Sequence, residues 1–201
     1  LTSDPNGNIY IYGATFSYGM GNRDAYLIKT DAGGNLIYSK TFGGINNDAA
    51  TDIIRHNNYL YLFGFTYNFG AQDADFWVIQ TNLNGDSLNS FLKGGPGYEE
   101  GQKILYTQDG NLLLAGHSAS YEPNHDVYIV KTSTTGNTLW FETAGGHAHD
   151  GAQNAIEDAQ GKIWVLARSN SRYTNNEDAY LLQYDAQGNK LFEQYYGTLG
   201  R

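Results

Sequence analysis

Cysteine is absent from this chain of 201 residues, so neither a disulfide framework nor thiolate chemistry is available, and cysteine usage indicates no compartment. No apolar run approaches the length of a membrane-spanning segment. The chain also lacks a cluster of lysine and arginine, and its formal net charge is −9. Phosphate backbones and anionic membrane surfaces repel such a chain, which argues against both as partners. The lack of a long apolar run argues against membrane insertion.

Charged residues are scarce at 16%, whereas apolar residues make up 40%, a balance typical of a folded chain rather than a disordered one. Aromatic residues reach 14% and glycine contributes 25 residues, a mixture that favours strands joined by tight turns. No segment of useful length shows the 3.6-residue period of an amphipathic helix. The composition and patterning therefore predict an all-β fold.

The sequence repeats every 51 or 52 residues. One anchor of the repeat is an aspartate, and a second anchor is a glycine nineteen residues further on. These anchors are Asp24, Asp75, Asp126 and Asp178, and Gly43, Gly94, Gly145 and Gly197. Self-similarity at this period indicates one supersecondary unit copied several times, with neighbouring copies covering each other's apolar faces. The predicted copies are 1–44, with its inner strand truncated, 45–95, 96–146 and 147–198, followed by a tail at 199–201.

Each copy holds four short period-2 segments, and turn sequences such as QDGN and AGGN separate the first from the second and the third from the fourth. Consecutive strands should therefore pair antiparallel as a meander. Four such strands per copy, covered on both faces, predict a β-propeller segment of about four blades in a single region, 1–201. The chain begins at Leu1 without a methionine and both ends interrupt the repeat, so we expect further copies in a larger propeller.

The order of motifs is a GG pair, an acid, a strand, DGN, an aliphatic strand, a polar loop, a D-aromatic strand and GN. This order resembles SBBP-type repeats, the seven-bladed β-propeller repeats of secreted surface proteins in Bacteroidetes and archaeal envelopes, and the resemblance covers the whole chain. It implies an extracellular or cell-surface location. The Bacteroidetes members are often cargo of type IX secretion. The motif identifies a propeller blade but gives almost no information about the ligand.

Two other propeller families share parts of the pattern. Kelch repeats carry a second glycine after the YLFG-like segment, where this chain has Ala14, Phe65, His117 and Arg168. Propellers of the PQQ type carry a docking motif that TTGNTLWFETAGG resembles in one copy, although the other copies lack its tryptophan. Neither family accounts for the repeat as well as the SBBP type does.

The repeating anchors are interpreted as structural, because catalytic groups need not recur in every blade. Each aspartate is expected to cap a turn, and each glycine pair to let the chain bend towards the next blade. The DxxGN segments lack the ligand run and closing glutamate of an EF-hand, which favours plain hairpins over calcium loops.

Departures from the repeat are better candidates for function. His147, His149 and Asp150 lie together in the segment HAHD, and histidines at i and i+2 on an extended chain point the same way. They would bind a transition metal if a third ligand joined them, although solvated loop histidines are commoner and we predict no metal or cofactor. His117 and His56 stand near strand ends and are interpreted as structural or solvated.

The loops between second and third strands vary in length and each carries an aromatic residue. These residues are Tyr18, Phe69, Tyr121 and Tyr173. Such rings could stack on sugars or anchor a protein partner, and the alternative is that they pack on their own blade.

No nucleophile-base-orienter set, G-x-S-x-G elbow, H-E-x-x-H or Walker loop is found. The sequence therefore predicts a non-enzymatic binding, display or scaffold propeller of a secreted or cell-surface protein, which engages protein partners through loops on one face. Flanking domains and the secretion or surface machinery are further expected contacts. Two alternatives stay open: a carbohydrate-binding propeller, and a quinone-dependent or polysaccharide-degrading enzyme.

Overall fold

A computed structural model describes residues 1–122, 124–172 and 177–197. Within these residues all regular structure is β-strand, arranged in four antiparallel sheets of four strands each. The strands of each sheet follow one another in chain order, so every sheet is a meander. This confirms the predicted fold class, an all-β chain built from β-propeller blades.

The strand bounds show the same spacing in each blade. The first blade consists of β1 (Thr2–Ser3), β2 (Ile9–Thr15), β3 (Asp24–Thr30) and β4 (Leu36–Phe42). The second consists of β5 (Asp48–His56), β6 (Tyr59–Thr66), β7 (Asp75–Asn82) and β8 (Ser87–Lys93). The third consists of β9 (Glu99–Tyr106), β10 (Leu112–Ser118), β11 (Asp126–Thr132) and β12 (Thr138–Ala144). The fourth consists of β13 (Asp150–Glu157), β14 (Ile163–Ser169), β15 (Asp178–Tyr184) and β16 (Lys190–Tyr196).

The hairpin turns are built by side chains that bond their own backbone. Asp31 Oδ1 accepts the amides of Gly33 at 2.8 Å and Asn35 at 2.9 Å, and Gly34 adopts a φ of +84°. Glycine reaches this left-handed conformation without steric cost, which allows the tight turn. The same arrangement recurs at Asp4, Asn82, Asp158 and Asp185. In each of these turns, one side-chain oxygen of the first residue is therefore occupied by backbone N–H groups.

Two kinds of β-bulge recur in the blades. The first strands β5, β9 and β13 each carry one extra residue near their middle, at Thr51, Gln102 and Gln153. The fourth strands carry one near their start, at Ile37, Leu88, Leu139 and Leu191. A bulge increases twist and disrupts the ladder locally, which on a fourth strand makes the sheet edge a poorer template for pairing with another chain.

The chain divides into two compact units, Leu1–Pro96 and Gly97–Arg201, with two blades in each. In the first unit β5 packs against β1, β2 and β3 of the preceding blade. The core there is formed by Tyr10 and Leu27 from one blade and Leu60, Leu62 and Trp77 from the next. Burying each such aliphatic side chain contributes about 1.5–3 kcal/mol to stability.

The second unit repeats this packing with β13 against β9, β10 and β11. Its core joins Leu113 and Ile129 of the third blade to Val165, Leu182 and Tyr184 of the fourth. Strand β11 is buried along its whole length. In the sequence, neighbouring positions of the third strands are both apolar or aromatic, so both faces of these strands are expected to be covered. The burial of β11 agrees with this pattern.

Candidate functional site

The repeating aspartates and glycines form a scaffold at the turn between blades. In the first unit a Cβ on Gly43 would overlap Asp24 Oδ1 and lie 2.5 Å from Asp48 Oδ2, so only glycine fits between these carboxylates. The next amide, that of Gly44, donates to Asp48 Oδ2 at 2.9 Å. Asp48 also accepts the hydroxyl of Thr66. The first-strand acid thus ties the return loop to its own blade.

The second unit has the same turn. Gly145 lies against Asp126 and Asp150, and the amide of Gly146 donates to Asp150 Oδ2 at 2.9 Å. Burial, with the neighbouring Asp150 and Glu122 carboxylates, raises the pKa of Asp126 to about 6. Gly197 lies against Asp178 in the same way. Asp75 and Gly94 occupy the matching positions in the second blade, at the start of β7 and after the end of β8.

The aromatic loop residues stack on a ring of their own blade and remain exposed. Tyr18 lies 5.8 Å from Tyr26, ring centre to ring centre, with an interplanar angle of 18°. Phe69 lies 5.2 Å from Trp77. Their exposed fractions are still 64% and 58%. Each of these rings therefore packs on its own blade, while its other side remains exposed to solvent.

Tyr121 repeats this arrangement in the second unit. Its ring lies 5.2 Å from Tyr128 and 5.2 Å from Phe141, and it remains 40% exposed. Tyr173, the fourth residue of the predicted set, lies outside the described residues.

Phe69 sits at the tip of a turn with unusual backbone geometry. Its φ is 59°, in the left-handed region that bulky residues rarely adopt. The preceding residue, Asn68, is buried and holds the turn to the blade, because its side-chain amide donates to Asp48 Oδ2 at 3.0 Å. Strain of this kind costs about 1–3 kcal/mol and is often retained at ligand-contacting sites.

Two grooves in the first unit lie along the loops that carry Tyr18 and Phe69. One, of about 450 Å³, is lined by Tyr18, Tyr26, Ser39, Lys40 and Thr41 together with Gly19. The other, of about 490 Å³, follows the Phe69 loop and is lined mainly by polar side chains. These include Asn22, Asn46, Asn47, Gln72 and Asp73.

Three histidines come together in the second unit, and we call His117, His125 and His149 the three-histidine cluster. One ligand atom from each lies within 4.8 Å of those of the other two. The rings of His125 and His149 stack at 4.8 Å with an interplanar angle of 10°, and His117 lies 5.2 Å from His125. The three rings therefore enclose one small volume.

The blade topology positions each member of the cluster. His117 is near the end of β10, His125 directly precedes β11, and His149 directly precedes β13. Antiparallel pairing of β10 with β11 brings the first two to the same end of the third blade. The amide of Asp150 donates to the carbonyl of His125 at 2.7 Å, which brings His149 beside them.

The cluster differs from the pairing expected in HAHD. His147 is exposed, and the chain bends at His147 and Ala148, so the alternation of an extended strand does not apply there. Asp150 is fully buried, and its Oδ2 accepts a hydrogen bond from the hydroxyl of Ser171 at 2.5 Å. His117, which the sequence places alone at a strand end, has two imidazoles beside it. Antiparallel pairing of consecutive strands would have been enough to predict that His117 and His125 lie close together. The position of His149 could not be predicted in this way, because it depends on how the fourth blade packs against the third.

The environment lowers the pKa of two members of the cluster, His117 and His149. Burial lowers the pKa of His117 to about 4 against the opposing effect of Glu100, and His149, His125 and Arg168 lower it further. Burial, His125 and Arg168 likewise lower the pKa of His149. Neutral imidazoles keep a lone pair available for a ligand.

The described residues contain no helix of the length and apolarity needed to cross a membrane.

No protein-family profile and no curated protein matches the chain. Among solved structures, a eukaryotic initiation factor matches 94% of this chain and 42% of its own, with 8% identity and a TM-score of 0.46. An α-L-arabinofuranosidase from Clostridium thermocellum matches 96% of this chain and 69% of its own, with 14% identity and a TM-score of 0.46. The chain thus spans less than half of the initiation-factor chain. At a TM-score of 0.46, neither structure supports an inference about the function of this chain.

Proposed function

We propose that this chain is a non-catalytic binding module of a secreted or cell-surface protein, and that it contacts a protein partner through the rings of Tyr18, Phe69 and Tyr121. The observation that carries the proposal is that each ring is exposed and yet held by an aromatic residue of its own blade. A ring fixed before binding loses little conformational entropy on contact, and aromatic anchors dominate the energetics of protein interfaces.

The non-catalytic assignment is supported by what the buried acids do. Asp126 and Asp150 face each other across Gly145, where even a methyl group would overlap Asp126 Oδ1. Gly145 thus occupies the space beside both carboxylates, which disfavours a substrate bound between them. Hydrolysis of polysaccharides by the purified chain would contradict this assignment.

The location is supported by the resemblance of the repeat to SBBP-type surface proteins, including those exported by type IX secretion. In the producing cells, an epitope-tagged full-length protein is expected in the medium or to be cleaved by protease added outside intact cells. Tag signal confined to the protease-resistant interior would refute the secreted location.

A glycan is the second candidate partner, and the two grooves of the first unit favour it. Asn46, Asn47 and Gln72 offer side-chain donors and acceptors in the groove along the Phe69 loop. Lys40 offers a donor in the groove that the exposed ring of Tyr18 lines. Sugars are recognised by this combination of a ring for stacking and polar groups for hydroxyls.

One experiment separates the candidates. The purified chain is applied to a broad glycan array and, in parallel, to immobilised extracellular proteins of the producing organism. Binding to proteins that falls at least about tenfold in the combined Tyr18→Ser, Phe69→Ser and Tyr121→Ser variant supports the first proposal. Array binding that is lost in the same variant supports the glycan instead. Binding in either arm that the variant retains would contradict both.

A further inference from the structure

We propose that the three-histidine cluster is a binding site for a divalent transition metal ion, of the Zn²⁺ or Cu²⁺ class, which links the third and fourth blades. Three nitrogen ligands with their ligand atoms within 4.8 Å of one another need only a small contraction to reach a common ion at about 2.0–2.1 Å. Two of the histidines belong to the third blade, and His149 lies at the start of the fourth.

The strongest support is an unpartnered polar atom inside the cluster. His117 is only 4% exposed, and its Nδ1 has no hydrogen-bond partner among the residues described. Within the same residues, the Nδ1 of His125 is also buried and unpaired. A buried polar group without a hydrogen-bond partner destabilises the fold, so two of them in one cluster are unfavourable unless a ligand satisfies them. A metal ion would accept both lone pairs.

A carboxylate stands on the far side of His117. Glu100 Oε2 lies 3.9 Å from His117 Nε2, and the hydroxyl of Tyr98 and the amide of Gln102 hold the carboxylate in place, each at 2.7 Å. Metal-bound histidines commonly direct their second nitrogen towards such a carboxylate, which fixes the ring and makes it a better ligand. With Nε2 on the side of Glu100, Nδ1 is the nitrogen of His117 that would bind the ion.

The backbone of the fold does not require these imidazoles. At the matching positions of the first unit the chain has Ala14, Arg23 and Asn47. The two backbone hydrogen bonds that hold this turn nevertheless form in both units. In the first unit, the amide of Asp48 donates to the carbonyl of Arg23 at 2.8 Å, and the amide of Tyr67 donates to the carbonyl of Asn47 at 3.2 Å. In the second unit they run from Asp150 to His125 and from Asn170 to His149. The cluster is thus an addition to a turn that forms without it.

Ligand chemistry selects the metal. Imidazole nitrogen suits zinc, copper and nickel, whereas calcium and magnesium require oxygen ligands. Arg168 is a positive charge near the cluster and would oppose the binding of a cation. Its guanidinium pairs with Glu177, with 3.6 Å between Nη1 and Oε2. Cu²⁺ is expected to bind more tightly than Zn²⁺, and Ca²⁺ not at all.

The test is a calorimetric titration of the full chain, purified in the presence of chelator and dialysed, with Zn²⁺, Cu²⁺ and Ca²⁺. One equivalent of Zn²⁺ per chain is expected to bind, with a rise in the unfolding temperature of several degrees. His117→Ala and His149→Asn introduce the residues that the first unit has at these positions, so both variants should fold. Each is expected to weaken Zn²⁺ binding by more than about tenfold.

His147→Ala is the matched comparison, because His147 lies two residues from His149 but outside the cluster. It is expected to leave Zn²⁺ affinity within about twofold of the original, while Arg168→Gln raises that affinity several-fold by removing the opposing charge. The proposal is overturned if no Zn²⁺ binds, if binding survives His117→Ala together with His149→Asn, or if His147→Ala weakens it as much as His149→Asn does.

Discussion

Gly13 and Gly64 occupy the same position in the second strands of their blades but face different surroundings. A Cβ on Gly64 would overlap the carbonyl oxygen of Ala49 and lie 3.2 Å from Ala50 Cα. A Cβ on Gly13 would meet nothing within 4 Å, because β1 pairs only with the start of β2. The close approach of first and second strands therefore requires glycine at one position and tolerates a side chain at the other.

This difference predicts opposite effects of one substitution. Gly64→Ala is expected to lower the free energy of unfolding by about 1–3 kcal/mol, because the backbone contact must open. Gly13→Ala is expected to raise it by about 0.5 kcal/mol, because alanine loses less entropy on folding. Urea unfolding of both variants measures this, and equal changes in the two would show that the predicted contact at Gly64 is absent.

Asp126 predicts a dependence of stability on pH. Its pKa is raised to about 6 by burial and by Asp150 and Glu122, so the folded state holds the proton more tightly than the unfolded state does. The ionised carboxylate therefore costs stability as pH rises from about 4 through 6. Asp126→Asn is expected to stabilise the chain at pH 8 by about 1–3 kcal/mol and to have little effect at pH 4.

Asp24→Asn is the matched control for Asp126→Asn. Asp24 is the corresponding residue of the first blade, and its Oδ2 accepts the amide of Gly21 at 3.1 Å. Its replacement should bring no gain at pH 8, because a charge-assisted hydrogen bond is lost. A gain at both positions, or at neither, would mean that Asp126 does not carry the strain inferred from its surroundings.

At the scale of elements, a buried lysine connects the two blades of the second unit. Lys131 on β11 is 1% exposed, and its Nζ lies 2.6 Å from Asp109 Oδ2 and 3.3 Å from the carbonyl oxygen of Ala186. Burial alone raises the pKa of Asp109, but hydrogen bonds from Lys131 and Thr107 outweigh it and hold that pKa below its ordinary value. The first unit has the same link from Lys29 to the carbonyl of Leu83.

Asp109→Asn is expected to cost about 1–2 kcal/mol at pH 7, allowing for solvent screening at the half-exposed carboxylate. A carboxyl with a lowered pKa stabilises the fold above about pH 4 and loses that contribution as pH falls further, so the difference from the original chain should shrink below pH 4. Urea unfolding at several pH values measures it. Asp86→Asn, in the exposed pair with Lys40, should change stability little, and an equal loss there would contradict a special role for Asp109.

The order and pairing of the strands followed from the sequence because their causes are local. Period-2 patterning and glycine turns lie within a few residues of the strands they define, and four copies repeat the same signal. The bulges at Thr51, Gln102 and Gln153 were not predicted from the sequence, because a one-residue shift in strand register does not change the composition of the strand. The three-histidine cluster escaped prediction for a similar reason, since His149 reaches His117 only through the contact of β13 with the preceding blade.

At the scale of the whole molecule, repetition separates scaffold from function. The aspartates and glycines that recur close the turns between strands and blades, where they pack against one another. The features that differ between copies are the histidines and the lengths and sequences of the loops that carry the aromatic residues. These are the positions where a change should alter binding and leave folding nearly intact, whereas changes at Asp126 or Gly145 should alter stability.

The most direct test of the proposed binding role compares two sets of exposed apolar residues on partner binding. The loop set is Tyr18, Phe69 and Tyr121, and the control set is Ile37, Leu88 and Leu139 on the fourth strands, which are similarly exposed at 51%, 53% and 53%. Serine at all three loop positions is expected to weaken binding to the partner found in the screen by at least about tenfold, with the unfolding temperature nearly unchanged. Serine at the three control positions should leave affinity within about twofold. Equal losses in both variants, or undiminished binding by the loop variant, would contradict the account.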